Sequence, residues 1–145
     1  EIQDLGTTYN YKLISQSANQ TPNGKRLLTH FSINDNLIYI KAIHTSDGKP
    51  FVIESRFINQ KIVPNFENQQ FEENSPNEWL LANIPYTHGE INFAATNCSL
   101  DISSLLDINP GEAVFQIERT TFDKEKVITN VLLTYHKDYR LKASL

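Results

Sequence analysis

The sequence predicts an α+β fold in which short helices accompany a mainly antiparallel sheet. Two segments, 37–59 and 113–135, have the composition of β-hairpins, because β-branched and aromatic residues flank a short polar turn in each. A strand and a short helix precede each hairpin, so the order strand, helix, hairpin occurs twice. The segment Ile33-Asn34 aligns with Ile108-Asn109. We interpret the two segments as pseudo-symmetric halves of one domain.

The first half begins with a predicted strand over residues 9–18, whose side chains alternate between two faces. Thr21 and Pro22 then have the order of an N-cap and a first helical residue, which predicts a short helix. The apolar stripe of this helix consists of Leu27, Leu28 and Phe31. The run Asn-Asp-Asn at 34–36 ends it before the first hairpin.

The first hairpin turns at residues 46–50, Ser-Asp-Gly-Lys-Pro, because Gly tolerates a positive φ and Pro resists pairing in a central strand. On its second strand, Glu54 and Arg56 share a face with Val52 and Ile58. This carboxylate and guanidinium have two interpretations. They form either an exposed ion pair, which stabilises the fold little, or part of a face that contacts a ligand.

The register of the first hairpin decides which residues join Glu54. If the numbers of paired residues sum to an even number, Ala42 and His44 lie on the face of Glu54. If the sum is odd, Lys41 lies there. The sequence leaves both registers open.

The second half follows a polar, Asn-rich connection at 59–85. Within it, Ser75, Pro76 and Glu78 have the spacing of a helix start with a capping box. The other predicted elements are a strand at 90–96, a helix at 99–106 capped by Ser99, and strands at 113–122 and 127–135.

Two further residues of the second half have both a structural and a functional interpretation. Arg119 shares a strand face with Ile117 and Thr121, and we interpret it first as an arginine on the strand surface. Tyr139, near the end of the chain, is either a packing residue or a flat wall for a ligand.

Length and composition limit the classes of protein to which the chain can belong. A length of 145 residues suits one domain, and a net charge of −4 argues against this chain binding the phosphate backbone of a nucleic acid by itself. The single cysteine, Cys98, cannot form an internal disulfide and is interpreted as a small buried hydrophobe. With neither a signal peptide nor an apolar run of about 20 residues, we expect a cytoplasmic protein without a membrane segment.

The chain has no methionine, so we interpret it as an excised C-terminal part of a longer protein, with a cleaved initiator methionine as the simpler alternative. It carries no nucleophile elbow, phosphate loop or dinucleotide motif, and its four histidines lack the spacing of metal ligands. We therefore expect no enzyme activity, no cofactor and no metal.

Several ordered blocks between residues 5 and 145 resemble the UTRA domain, the C-terminal effector-binding domain of GntR-type bacterial transcription regulators. Within that family the chain is most similar to the histidine-utilisation repressors. The blocks are Glu54-Ser55-Arg56-Phe57-Ile58-Asn59, Pro64-Asn65-Phe66, Ser75-Pro76-Asn77-Glu78-Trp79-Leu80 and Tyr139-Arg140-Leu141.

The resemblance implies a chorismate-lyase-like fold for residues 1–145, with the winged helix-turn-helix domain absent from this chain. It implies a homodimeric repressor that senses a small metabolite, urocanate in the histidine-utilisation branch, and reaches operator DNA only through the missing domain. Members that bind sugar phosphates carry arginines at the positions of Ala42 and His44, which puts phosphate binding in doubt here. The residues that the resemblance assigns to the ligand are Glu54, His44, Ser75, Asn77, Thr134 and Tyr139.

The chemistry of urocanate adds Arg56 to this set. An imidazole acrylate needs an acceptor for its ring N–H, donors for its carboxylate and flat walls. Glu54 can accept, Arg56 or the N–H groups of a helix start can donate, and Tyr139 can stack. The alternatives are a chorismate-lyase-like enzyme, a UTRA sensor of a different small metabolite, and a dimerisation module without a ligand.

Overall fold

The computed structural model describes residues 8–62, 84 and 86–145 of the chain. These residues form six strands and two helices, and the helix predicted at Ser75 lies outside them. In chain order the elements are β1 (Tyr9–Gln20), α1 (Lys25–His30), β2 (Leu37–Ser46), β3 (Lys49–Asn59), β4 (His88–Asn97), α2 (Leu100–Leu106), β5 (Ala113–Asp123) and β6 (Lys126–Tyr135).

The six strands form one antiparallel sheet in the order β1-β2-β3-β6-β5-β4. Each half contributes strand, helix and hairpin, and the second strands of the two hairpins, β3 and β6, pair at the centre. The predicted α+β fold with two pseudo-symmetric halves is confirmed.

The first hairpin adopts the even register, in which Ala42 pairs with Glu54 and His44 with Val52. Its turn has positive φ at both central residues, 52° at Asp47 and 78° at Gly48. Two positive φ angles are typical of the type I′ turn, whose twist matches that of the flanking strands. Local turn chemistry and the alternation of β2 and β3 therefore place His44 on the same face as Glu54.

The two helices differ in how well the sequence locates their first residue. Ser99 caps α2 as predicted, since its Oγ accepts a hydrogen bond from the Ile102 N–H at 3.3 Å. The predicted start of α1 at Thr21 and Pro22 is wrong, because the helix begins after Gly24, whose φ is 88°. Pro22 is buried, and the segment before Gly24 is an extended connection to the helix.

We call the side of the sheet that carries Glu54 and Arg56 the front face, and the other side the back face. Helix α1 covers the back face with Leu27 and Phe31, which pack against Leu37 and Val127. Helix α2 packs against β3 from the same side, and its Asp101 pairs with Lys41 of β2 at 2.8 Å.

Two clusters of buried aliphatic and aromatic side chains lie on the front face. Burying each side chain of this size stabilises the fold by about 1.5–3 kcal/mol. One cluster consists of Ile38, Ile40, Ile58 and Ile128, and the other of Val52, Ile117, Val131, Leu133 and Tyr135. They hold the strands around the charged residues of the front face in fixed register.

Candidate functional site

A row of residues crosses the front face over four neighbouring strands. Arg56 of β3 pairs with Val131 of β6, which pairs with Arg119 of β5, which pairs with Ile91 of β4. Paired residues of neighbouring strands point to the same side of a sheet. The two arginines therefore flank Val131, with Cα atoms about 10 Å apart, because neighbouring strands lie about 4.8 Å apart.

Glu54 holds a buried negative charge beside this row, and it is only 2% exposed. Its Oε1 lies 2.9 Å from His44 Nε2, and its Oε2 accepts a hydrogen bond from Arg56 Nε at 2.8 Å. Burial raises the pKa of Glu54, but the charge of Arg56 and the hydrogen bonds of His44 and Arg56 outweigh it and lower that pKa to about 2. Glu54 is therefore ionised at neutral pH and fixes the orientation of Arg56.

Two tyrosines of β1 extend this network. The hydroxyl of Tyr9 bonds with His44 Nδ1, so both ring nitrogens of His44 are engaged. The ring of Tyr11 meets that of His44 edge-on, with centroids 5.2 Å apart. The hydroxyl of Tyr11 is buried and has no hydrogen-bond partner among the described residues, and burial together with the charge of Glu54 raises the pKa of Tyr11. Tyr11 therefore remains protonated and retains an unused O–H donor.

A cavity of about 390 Å³ opens on the front face beside the row. Its volume lies within the range of sites for small molecules. Both arginines line it, and the buried Nε of Arg119 has no hydrogen-bond partner in the part of the chain that the structure describes. Its apolar walls include Ile84, Ile91, Ile128 and Val131. Apolar walls with a few cationic groups favour a small organic anion.

A second polar cluster lies on the back face and joins α1 to the sheet. Arg26 donates to Glu118 Oε2 at 2.9 Å and also bonds with Asn130 Oδ1, while Asn130 Nδ2 donates to Glu118 and Thr120, each at 3.0 Å. Burial raises the pKa of Glu118, but these hydrogen bonds and the charge of Arg26 lower it overall. Because the cluster satisfies the buried Asn130, we assign it a structural role.

The profile of the UTRA domain matches residues 4–141 of the chain. The chain belongs to the UTRA domain family. This UTRA domain is 24% identical over 135 residues to the histidine utilization repressor of Pseudomonas putida, covering 93% of the chain and 54% of that protein. It is 26% identical over 101 residues to the histidine utilization repressor of Klebsiella aerogenes, covering 69% of this chain and 42% of that protein. The chain thus spans about half the length of the curated relatives it matches.

Solved structures share the fold of this UTRA domain. The C-terminal domain of the histidine utilization repressor from Pseudomonas syringae pv. tomato str. DC3000 superposes with a TM-score of 0.85 at 24% identity, covering 95% of this chain and 99% of that one. The effector domain of PhnF from Mycobacterium smegmatis superposes with a TM-score of 0.81 at 14% identity, covering 98% of this chain and 92% of that one.

The structure brings three of the predicted ligand-binding residues of the UTRA domain together. Glu54, His44 and Arg56 form one hydrogen-bonded chain, and of these Arg56 lines the cavity. Ser75 and Asn77 lie outside the described residues. The assignment of all these residues to a ligand stays a prediction.

The other two predicted residues lie away from this chain of bonds. Thr134 pairs with Ile53 and Gln116, and its Oγ1 accepts a hydrogen bond from Gln116 Nε2 at 3.1 Å on the back face. Tyr139 stacks on Tyr135, with centroids 4.0 Å apart, as part of a cluster of aromatic rings. The other rings of this cluster are Phe51 and Phe115.

Sequence reasoning missed the tyrosines of β1 as partners of the site. The alternation of residues 9–18 identified a strand, but the pairing of Tyr11 with His44 depends on a register that shifts between Leu13 and Ser15. A bulge of this kind has no clear signal in one sequence.

The remaining candidates for chemistry give no metal site among the described residues. No group of three or more His, Cys, Asp and Glu side chains there could hold a metal ion. Cys98 is buried, and burial and the charge of Glu112 raise the pKa of its thiol, which disfavours the reactive thiolate. Neither of the two described helices has the length and apolar character needed to cross a bilayer.

Proposed function

We propose that this UTRA domain is the effector-binding and dimerisation domain of a bacterial transcriptional repressor. The observation that carries the proposal is the front-face cavity of about 390 Å³, lined by apolar side chains and by Arg56, whose guanidinium is oriented by the buried Glu54. A preoriented cation in a mostly apolar cavity binds a small organic anion at low entropic cost.

The proposed effector is urocanate, the metabolite expected from the resemblance to histidine-utilisation repressors, and the chain is 24% and 26% identical to two proteins of that name. Its acrylate supplies a carboxylate for an arginine, and its flat ring suits walls such as Val131 and Ile91. The proposed ligand-binding residues remain Glu54, His44, Arg56, Ser75, Asn77, Thr134 and Tyr139. Among them Glu54 and His44 act by fixing Arg56 or by bonding to the ring of the effector.

The proposed partners are a second copy of the chain and operator DNA. Contact with DNA is assigned to a winged helix-turn-helix domain outside this chain, in line with its coverage of about half of each relative. Effector binding would act by a population shift, in which the liganded domain favours a different spacing of the two DNA-reading domains. The proposed location is the cytoplasm, where such a protein meets both DNA and metabolites.

Thermal melting with a panel of metabolites tests this proposal. The panel contains urocanate, histidine, imidazole and chorismate. A ligand that binds only the native state raises the melting temperature, and at a hundred times its Kd it stabilises by about 2.7 kcal/mol. We expect urocanate to raise it and imidazole to leave it unchanged. Conversion of chorismate by the chain, or a panel without any stabilising ligand, would contradict a sensor of this kind.

A further inference from the structure

Arg119 is a cation without a compensating charge. Among the residues that the structure describes, no carboxylate lies within ion-pair distance of its guanidinium, and its buried Nε donates to no acceptor. The adjacent Glu118 points to the back face, where it pairs with Arg26 at 2.9 Å. The exposed Glu90 also lines the cavity, but no ion pair joins it to Arg119.

Arg56, at the other end of the row, is already compensated. Its Nε donates to Glu54 Oε2 at 2.8 Å, and both side chains are 3% exposed. A buried N–H donor without an acceptor is energetically unfavourable, so a ligand that places an acceptor there gains affinity. Among the described residues that line the cavity, Arg119 therefore carries a positive charge without an ion-pair partner and, at its Nε, a hydrogen-bond donor without an acceptor.

We infer that Arg119 holds the carboxylate of the effector, and that the ligand class is a planar monocarboxylate lying across Val131 with its other end toward Arg56. This inference rests on the proposed function and adds the orientation of the ligand. A guanidinium binds a carboxylate through two parallel N–H bonds, one of which the free Nε can supply. Val131, paired with both arginines, forms the apolar floor between them.

The assignment differs from the contacts expected from the sequence, in which Arg56 or a helix start receives the carboxylate. With the carboxylate at Arg119, the opposite end of the ligand meets Arg56, the member of the hydrogen-bonded group of Arg56, Glu54 and His44 that lines the cavity. The guanidinium of Arg56 offers N–H donors to a polar ring, and Glu54 holds it in place. The two arginines therefore recognise different chemical groups.

Calorimetry with two ligands and four proteins tests the assignment. The ligands are urocanate and its neutral amide, and the proteins are the parent, Arg119→Gln, Arg119→Lys and Lys126→Gln. Lys126 is exposed and does not line the cavity, so its variant loses the same charge outside the cavity. We expect Arg119→Gln to weaken urocanate about ten- to hundredfold and to leave the affinity for the amide within about twofold. Lys126→Gln should bind urocanate more tightly than the amide, as the parent does. Arg119→Lys should recover part of the preference for urocanate that Arg119→Gln loses.

A second measurement keeps the inference separate from the identity of the effector. The Nε–H signal of Arg119 in nitrogen-15 NMR, identified by its loss in Arg119→Lys, is followed while urocanate, trans-cinnamate and the two amides are added. Movement with the acids and not with the amides supports Arg119 as the carboxylate contact, even if only cinnamate binds and urocanate fails as effector. An Arg119→Gln variant that still prefers the acid, or a signal that no acid moves, would overturn the inference.

Discussion

Glu54 contributes both to the stability of the fold and to the proposed ligand site on the front face. Its carboxylate accepts a hydrogen bond from Arg56 Nε, and both side chains are almost fully buried. Removing one charge of a buried pair leaves the other uncompensated, which commonly costs 3–5 kcal/mol. Glutamine keeps one oxygen as an acceptor, so the cost of Glu54→Gln should lie at about 2–3 kcal/mol of unfolding free energy. Urea unfolding at pH 7 measures it, with the exposed-turn variant Glu125→Gln as control.

The pH dependence of unfolding gives an independent check on Glu54. The pKa of Glu54 is lowered in the folded chain to about 2, from 4.5. A lowered folded pKa contributes stability that is fully present above the unfolded pKa and is lost as the pH falls through the folded pKa. The parent should therefore lose up to about 3 kcal/mol between pH 5 and pH 2 through this group. Glu54→Gln should lack this part of the loss, and equal acid sensitivity of parent and variant would contradict the ionised, paired carboxylate.

Removing the hydroxyl of Tyr11 should not lower the unfolding free energy, in contrast to removing the charge of Glu54. Its hydroxyl is buried without a partner, so Tyr11→Phe removes an unsatisfied donor and should leave the unfolding free energy unchanged or raise it by up to about 1 kcal/mol. Tyr9→Phe is the matched control, because it removes a hydroxyl that bonds with His44 and should lower the unfolding free energy by about 1 kcal/mol. Chemical denaturation of both variants without ligand compares them. Equal losses would mean that Tyr11 has a partner in solution.

At the scale of secondary-structure elements, the sequence predicted those turns and helix caps that depend on interactions between residues close in sequence. The hairpins were predictable because Asp47-Gly48 and the flanking alternation act within a few residues, and Ser99 was predictable as a cap for the same reason. The start of α1 was not, because Pro22 is buried by tertiary packing, which overrides its local preference. The site was only partly predictable, since Arg56 and Arg119 come together through the pairing of β3 and β5 with β6, contacts distant in sequence.

The turn of the first hairpin should depend on Gly48 in particular. Its φ of 78° is a conformation that costs a residue with a Cβ about 1–2 kcal/mol, so Gly48→Ala should lower the unfolding free energy by about 1 kcal/mol or more. Gly89→Ala is the control, because φ there is not positive and an added Cβ would lie at ordinary contact distance, 3.4 Å, from the Thr120 carbonyl oxygen. Denaturant unfolding of the two variants should separate them. An equal effect would mean that strain at the turn is not the cause.

At the scale of the whole molecule, one edge of the sheet differs from the rest. All ten residues of β4 are exposed, and within the described residues β4 pairs on one side only, with β5. Ile91 and Phe93 on this strand are about half exposed, at 50% and 53%. An edge strand with apolar side chains is a template for pairing with another chain. This surface supports the proposed self-association of the domain.

We therefore expect the chain to sediment as a dimer at micromolar concentration. Replacing an apolar residue of the edge with a charged one should weaken the association, so Phe93→Asp should shift the equilibrium toward monomer. Asn97→Asp, at the exposed end of the same strand, is the charge-matched control. Analytical ultracentrifugation over a range of concentrations measures both. A parent chain that stays monomeric throughout would contradict the dimer, and a Phe93→Asp variant that dimerises as well as the parent would exclude this edge.

This chain should not bind operator DNA by itself, although a regulator that joins it to a DNA-binding domain is proposed to do so. A net charge of −4 over 145 residues repels a polyanion, and the binding of DNA relies on clustered Lys and Arg that release counterions. The exposed pairs Lys41 with Asp101 and Lys137 with Glu112 further neutralise part of the positive charge. Fluorescence anisotropy with a labelled operator at low and moderate salt measures the interaction, and the same chain joined to a winged helix-turn-helix domain is the positive control. Tight, salt-sensitive binding by this chain alone would place the DNA contact in the effector domain. The proposal that a separate domain binds the operator would then be wrong.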